Sequence, residues 1–80
     1  MEHIMLYEID EKTQNEIDQW FVYHSPKDDQ PIRYGLLREA ARKLALDICR
    51  NVPACADRTA ALRKLRECIM TANAAIACNE

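Results

Sequence analysis

Eighty residues make one small domain at most, and folds of this size lean on disulfides, metal or partner subunits to supplement a modest core. Hydrophobic residues make up 49%, yet eleven alanines stand against one Trp, one Phe and three Tyr, so each apolar side chain buries little area and the core must be thin. The net charge of −2 hides a division: residues 1–29 hold eight acidic and two basic side chains, residues 30–80 five acidic and nine basic, which disfavours long nucleic acid along the first segment and suits a compact anion on the second.

In chain order, Met1 to Tyr7 reads as an extended arm or partial strand. Ile9 to Tyr23 follows as a short amphipathic helix, with Thr13 and Glu16 at capping-box spacing and Ile17, Trp20 and Phe21 on one face. Ser25-Pro26 is expected to end it, because proline disfavours the helical region for the residue before it. Lys27 to Gln30 is a turn, and Asp29 an N-cap with Pro31 tolerated in the first helical turn. A helix over Gln30 to Asn51 carries an apolar stripe of Tyr34, Leu37, Ala41, Leu44, Ala45 and Ile48, with Glu39 spaced to pair with Lys43. Gly35, the one glycine, marks either a close approach or a tolerated substitution there. Asn51-Val52-Pro53 ends that helix. Asp57 can cap the next, over Arg58 to Cys78, whose stripe is Leu62, Leu65, Ile69, Ala72 and Ile76. A second stripe with Ala61, Cys68 and Ala75 has nothing left to pack against in 80 residues and reads as a subunit interface.

The expected fold is therefore all-α: a helical hairpin over residues 30–80, preceded by an arm, short helix and loop over 1–29, in one domain that assembles as a compact homo-oligomer. Cys49, Cys55, Cys68 and Cys78 contain no CxxC pair and do not combine with His3 and His24 at metal-ligand spacing, so they read as reduced structural thiols and no metal or cofactor is expected. Without a signal peptide or a membrane-length apolar run, a soluble cytoplasmic protein is expected.

Few residues invite chemistry. Tyr23 precedes the long helix, where a ring can stack on a nucleobase, although taken alone it reads rather as core packed with Trp20 and Phe21. Lys27 and Arg38 flank a helix N-terminus, a natural anion site, although taken alone they read rather as a solvated basic face. Asp28 and Asp29 weaken a pure phosphate site. His24 lacks a nucleophile and a spaced acid to complete a triad, so catalysis is not expected. Asn73 among small residues suits an interhelical hydrogen bond that fixes register. Arg58, Arg63 and Arg66 make a basic cluster, with Arg63 and Glu67 at pair spacing.

The runs YHSPKDDQPIRYGLLREAARKLA and RTAALRKLRECIMTANAAIA resemble phage hairpin proteins of the Acb–Tad group, in particular the anti-CBASS cyclic-oligonucleotide sponges. The resemblance covers roughly Trp20 to Ala77. It rests on a tyrosine before a proline-containing turn, a basic residue fifteen positions later, and the stretch Met70 to Ala74, where Thr71 replaces a frequent aromatic. It implies homohexamers of helical hairpins that bind cyclic dinucleotides between paired subunits, in some cases cyclic trinucleotides at separate sites, without cleaving them. Tyr23 would then stack on a base, Arg38 would stand where a family lysine contacts the ligand, and His24, Pro26 and Lys27 would line the same pocket. Arg58 would correspond to an arginine of the trinucleotide site, but Ala40 stands at a position that is polar there, which puts that second site in doubt. The expectation is a phage or prophage product in the host cytoplasm that sequesters cyclic dinucleotides such as cyclic GMP-AMP, with no membrane partner. A small helical interaction or assembly module is the alternative, and a sponge for a cyclic ADP-ribose derivative a third reading.

Overall fold

The computed structural model describes residues 6–80, which form three helices and no strand: α1 (Glu11–Trp20), α2 (Gln30–Asn51) and α3 (Ala56–Asn79). Most of the expected N-terminal arm or strand, with His3, lies outside the described residues.

Helix α1 is shorter at both ends than the expected span of Ile9 to Tyr23, and its capping residue lies earlier than expected. Its cap is Asp10, not Thr13: the Asp10 carboxylate accepts the Thr13 amide at 2.7 Å, making Thr13 the capped residue. A carboxylate at this end also opposes the positive pole of the helix, which a hydroxyl cannot do. The Thr13 amide and hydroxyl, together outweighing a small desolvation, hold the Asp10 carboxyl below its ordinary range. At the other end the Phe21 amide closes on the Ile17 carbonyl at 3.1 Å and the helix stops, well before Pro26. Proline is therefore not the terminator, and Phe21 to Lys27 is loop.

Helix α2 has the expected bounds. Pro31 sits in its first turn, where an amide would lack a partner anyway, and extended Val52 before Pro53 closes it. Asp29 occupies the cap position without a side-chain capping bond, because its carboxylate turns to Arg33 instead (Nε to Oδ1, 3.1 Å). Asp28 before it takes a left-handed φ of 51°, which reverses the chain into the helix. In α3 the cap position is Cys55, and Asp57 lies inside the first turn rather than capping it, where its charge still favours the helix pole.

Helices α2 and α3 form an antiparallel hairpin, and α1 packs on α3. Tyr34, Leu37, Ala41, Ala45 and Ile48 are half-buried against Leu62, Leu65, Ile69, Ala72 and Ile76, so the paired stripes are the seam. Leu44 falls outside it, 50% exposed, because a step of three from Ala41 leads to the flank of the contact. Glu39 pairs with Arg42 at 3.5 Å rather than with Lys43. Asn73 makes no interhelical hydrogen bond: its Oδ1 is buried without a partner. Among the described residues no hydrophobic side chain is fully buried, and the single buried residue of any kind is polar Gln30. None of the described helices is long and apolar enough to cross a membrane.

Candidate functional site

Three places carry the expected site residues: the loop between α1 and α2, the third turn of α2 with Arg38, and the first turn of α3 with Arg58. The loop is anchored by polar contacts on either side of Tyr23. Its His24 ring donates from Nε2 to the Gln19 carbonyl at 2.7 Å, while the Gln19 side chain donates to the Cys78 carbonyl of α3 at 2.8 Å. Farther along, the Lys27 amide donates to Gln30 Oε1 at 3.1 Å and the Gln30 amide returns a bond to the Lys27 carbonyl at 3.0 Å. This reciprocal pair resembles a capping box, in which a side chain three residues into a turn satisfies the amide at its start.

The same Gln30 donates from Nε2 to Glu80 Oε1 at 3.2 Å, and Arg33 clamps both Glu80 oxygens at 2.7 and 2.5 Å. Lys27 Nζ reaches the Glu80 main-chain oxygen at 2.9 Å. Hydrogen bonds from Arg33, and then Gln30, bring the Glu80 carboxyl down to about 2, and Glu80 in turn raises the affinity of Arg33 for its proton. The end of α3 is thereby stitched to the loop and to the start of α2. Lys27 and Gln19 donate to main-chain oxygens at the negative pole of α3, where a cation is favoured.

Between these anchors Tyr23 is 81% exposed, so the core reading of this ring does not hold in the protomer. Its neighbour Phe21 is also exposed, and Trp20 lies against Thr71, Ala75 and Cys78 of α3. Pro26 is exposed on the same loop. Arg38 stands apart from this group. It lines a shallow recess with Tyr34, Asn73, Ala74 and Ala77, and the rim of a longer apolar groove floored by Leu62, Leu65 and Ile69 and edged by Arg42 and Arg66. Tyr23, His24, Pro26 and Lys27 line neither depression. Arg58, half-buried in the first turn of α3, sits about 18 Å down the helix from Met70, which borders the Arg38 groove. One protomer thus gathers the loop residues together and leaves Arg38 and Arg58 separate from them and from each other.

Sequence reasoning missed Tyr34 and Asn73 as walls of the Arg38 recess, and Gln30, Arg33 and Glu80 as the supports of the loop. The spacing of Lys27 and Gln30 and of Asp29 and Arg33 was the available signal for two of these contacts. Nothing local points to Glu80. The arrangement offers an aromatic face on an anchored loop, guanidinium groups along α2 and α3, and no nucleophile–base pair among the hydrogen-bonded groups.

Searches of curated proteins and of solved structures returned no match. The family described as Acb2/Tad1, hairpin domain, matches residues 13–77. That span runs from the first turn of α1 through the loop, all of α2 and nearly all of α3. With its helical hairpin and the anchored loop inside the matched region, the chain belongs to the Acb2/Tad1 hairpin domain family.

Proposed function

We propose that this protein is a stoichiometric sponge for cyclic dinucleotides, a phage or prophage product that captures the messenger in the host cytoplasm intact and so starves a CBASS effector. The observation that carries the reading is Tyr23, an aromatic ring 81% exposed on a loop whose flanking residues are hydrogen-bonded into place, within a chain of this family. A ring held in water on a fixed loop invites a stacking partner. Each base stacked on it contributes about 1–3 kcal/mol, and a nanomolar complex needs about 12 kcal/mol, so guanidinium–phosphate contacts and closure by a second subunit supply the remainder.

The ligand is roughly two-fold symmetric, and a two-fold pair of protomers presents each half with the same groups. In such a pair Tyr23 with His24 and Pro26 comes from one subunit and Arg38 from its mate, which reconciles their separation within a single chain. Assembly, to a homohexamer in this reading, also answers the lack of a core. The accessible surface is 7230 Å², against about 5,000 Å² for a compact monomer of 9.3 kDa. Ala61, Cys68 and Ala75 on the outer face of α3 are exposed and small enough to admit a neighbouring helix. A cyclic trinucleotide site at Arg58 is a weaker extension, since Ala40 stands where the resemblance implies a polar residue.

The test is to mix the protein with cyclic GMP-AMP, denature it and assay the supernatant. Intact ligand supports sequestration, linear nucleotide indicates an enzyme, and no bound ligand removes the reading. The exposed α3 face favours a second reading, a helical assembly module without a nucleotide ligand. Tyr23→Ala separates the two: lost binding with an unchanged oligomer supports the sponge, whereas a dissociated oligomer assigns the ring to packing.

A further inference from the structure

The one buried residue among those described is an amide. Gln30 is 3% exposed, whereas every described apolar side chain is more open to solvent. Burying an amide is unfavourable unless both of its ends are bonded, and here both are: Oε1 takes the Lys27 amide, and Nε2 gives to Glu80. An apolar residue would fill the same space without that constraint. What the amide adds is direction, an acceptor pointing at the loop and a donor pointing at the end of α3. Arg33 holds Glu80 from the opposite side, and Lys27 closes the circuit through the Glu80 main-chain oxygen.

We infer that Gln30, Arg33 and Glu80 are positioning residues that lock the Tyr23–Lys27 loop in its binding conformation, and that the Lys27 ammonium belongs to this lock rather than to the ligand. The inference rests on the reading of Tyr23 as the stacking platform. Its physical content is pre-organisation: a loop fixed before the ligand arrives loses little freedom on binding. It also changes the role of Lys27. With its ammonium bonded 2.9 Å from the α3 end and its amide bonded to Gln30, Lys27 is held by both ends on the support side of the loop, leaving Arg38 as the cation for the phosphates.

The experiment uses the whole chain. Amide hydrogen exchange over residues 22–29 is measured without ligand, and affinity for cyclic GMP-AMP is measured by calorimetry at several salt concentrations. Gln30→Leu is expected to speed loop exchange and weaken binding by about tenfold or more, with the oligomer intact. The reciprocal pair Gln30→Glu with Glu80→Gln restores an acceptor for the Lys27 amide and a donor from residue 80 but leaves Arg33 one neutral acceptor in place of a carboxylate, so it is expected to recover both properties in part. It also keeps the test informative if Gln30→Leu does not fold. Lys27→Met should speed exchange and weaken binding while leaving the salt dependence of affinity unchanged; Arg38→Met should flatten that dependence, as loss of a phosphate contact does.

Unchanged loop exchange in Gln30→Leu overturns the lock, and faster exchange with unaltered affinity overturns its role in binding. A flattened salt dependence in Lys27→Met, with normal exchange, returns Lys27 to the ligand. If the unmodified protein binds no cyclic GMP-AMP, the sponge reading fails, while the exchange data still decide whether the lock exists.

Discussion

Tyr23 and Glu80 show at the scale of single residues how differently an exposed and a paired side chain respond to change. Stacking uses the face of a ring and not its hydroxyl, so Tyr23→Phe should keep cyclic GMP-AMP affinity close to that of the unmodified protein. Tyr23→Ala should lose about 1–3 kcal/mol per stacked base, which titration calorimetry resolves. Glu80 sets a pH window. Its carboxyl has an ordinary value of 4.5 and is brought to about 2 by Arg33 and Gln30, so the proton binds more weakly in the folded state. The lock is then fully present above about pH 4.5 and lost as pH falls toward 2. Loop amide signals should accordingly be steady at neutral pH and broaden or exchange faster only in that acid range; a transition at neutral pH would overturn the role of Glu80. Sequence made Tyr23 visible as a candidate because tyrosine beside a proline-containing turn is open to two readings, core or platform, and only exposure decides between them. Glu80 was not legible, since its partners Gln30 and Arg33 lie 50 and 47 positions away and no periodic pattern links them.

Among the elements, the helices differ in how plainly their ends are written. The bounds of α2 followed from Asp-Asp-Gln-Pro before it and Asn-Val-Pro after it, where proline restricts the backbone whatever the tertiary context. The start of α1 did not, because Asp10 and Thr13 both have cap chemistry three residues apart and the choice depends on the helix phase. The two are separable by substitution. Asp10→Ala should fray the first turn and speed exchange of the Thr13 and Gln14 amides, whereas Thr13→Ala keeps its backbone donor and should leave that turn in place. Gly35 poses a sharper question. A methyl group there would meet only Arg38 Nη2, at 3.7 Å, an ordinary contact, so nothing within one protomer requires glycine. Gly35→Ala should therefore stabilise α2 by up to about 1 kcal/mol, read as a raised denaturation midpoint. A fall in midpoint or a loss of ligand binding would locate a neighbouring subunit or the nucleotide against that turn.

For the whole molecule, the hairpin seam was readable from two stripes at three- and four-residue steps, and the surplus of apolar surface from an alanine-rich second face that α1 meets only at its Trp20 end. How Tyr23 meets Arg38 was not readable, because that relation crosses between chains in the arrangement proposed here. Ala61→Glu, which puts a charge on the exposed face of α3 away from α1, is expected to reduce the oligomer seen by light scattering while leaving helix content largely intact at high protein concentration. The absence of any fully buried apolar side chain among the described residues has a further consequence. A chain that completes its core only with other copies gains stability by mass action, so its folded fraction rises steeply with its own concentration. Under the sponge and assembly proposed above, the protein would be dilute, poorly assembled and unable to hold messenger early in an infection, when few copies exist. Past a threshold of synthesis it would assemble and become competent together. Protection by such a protein would behave as a dose-dependent switch set by the timing of its expression, and would not scale in proportion to the number of chains made.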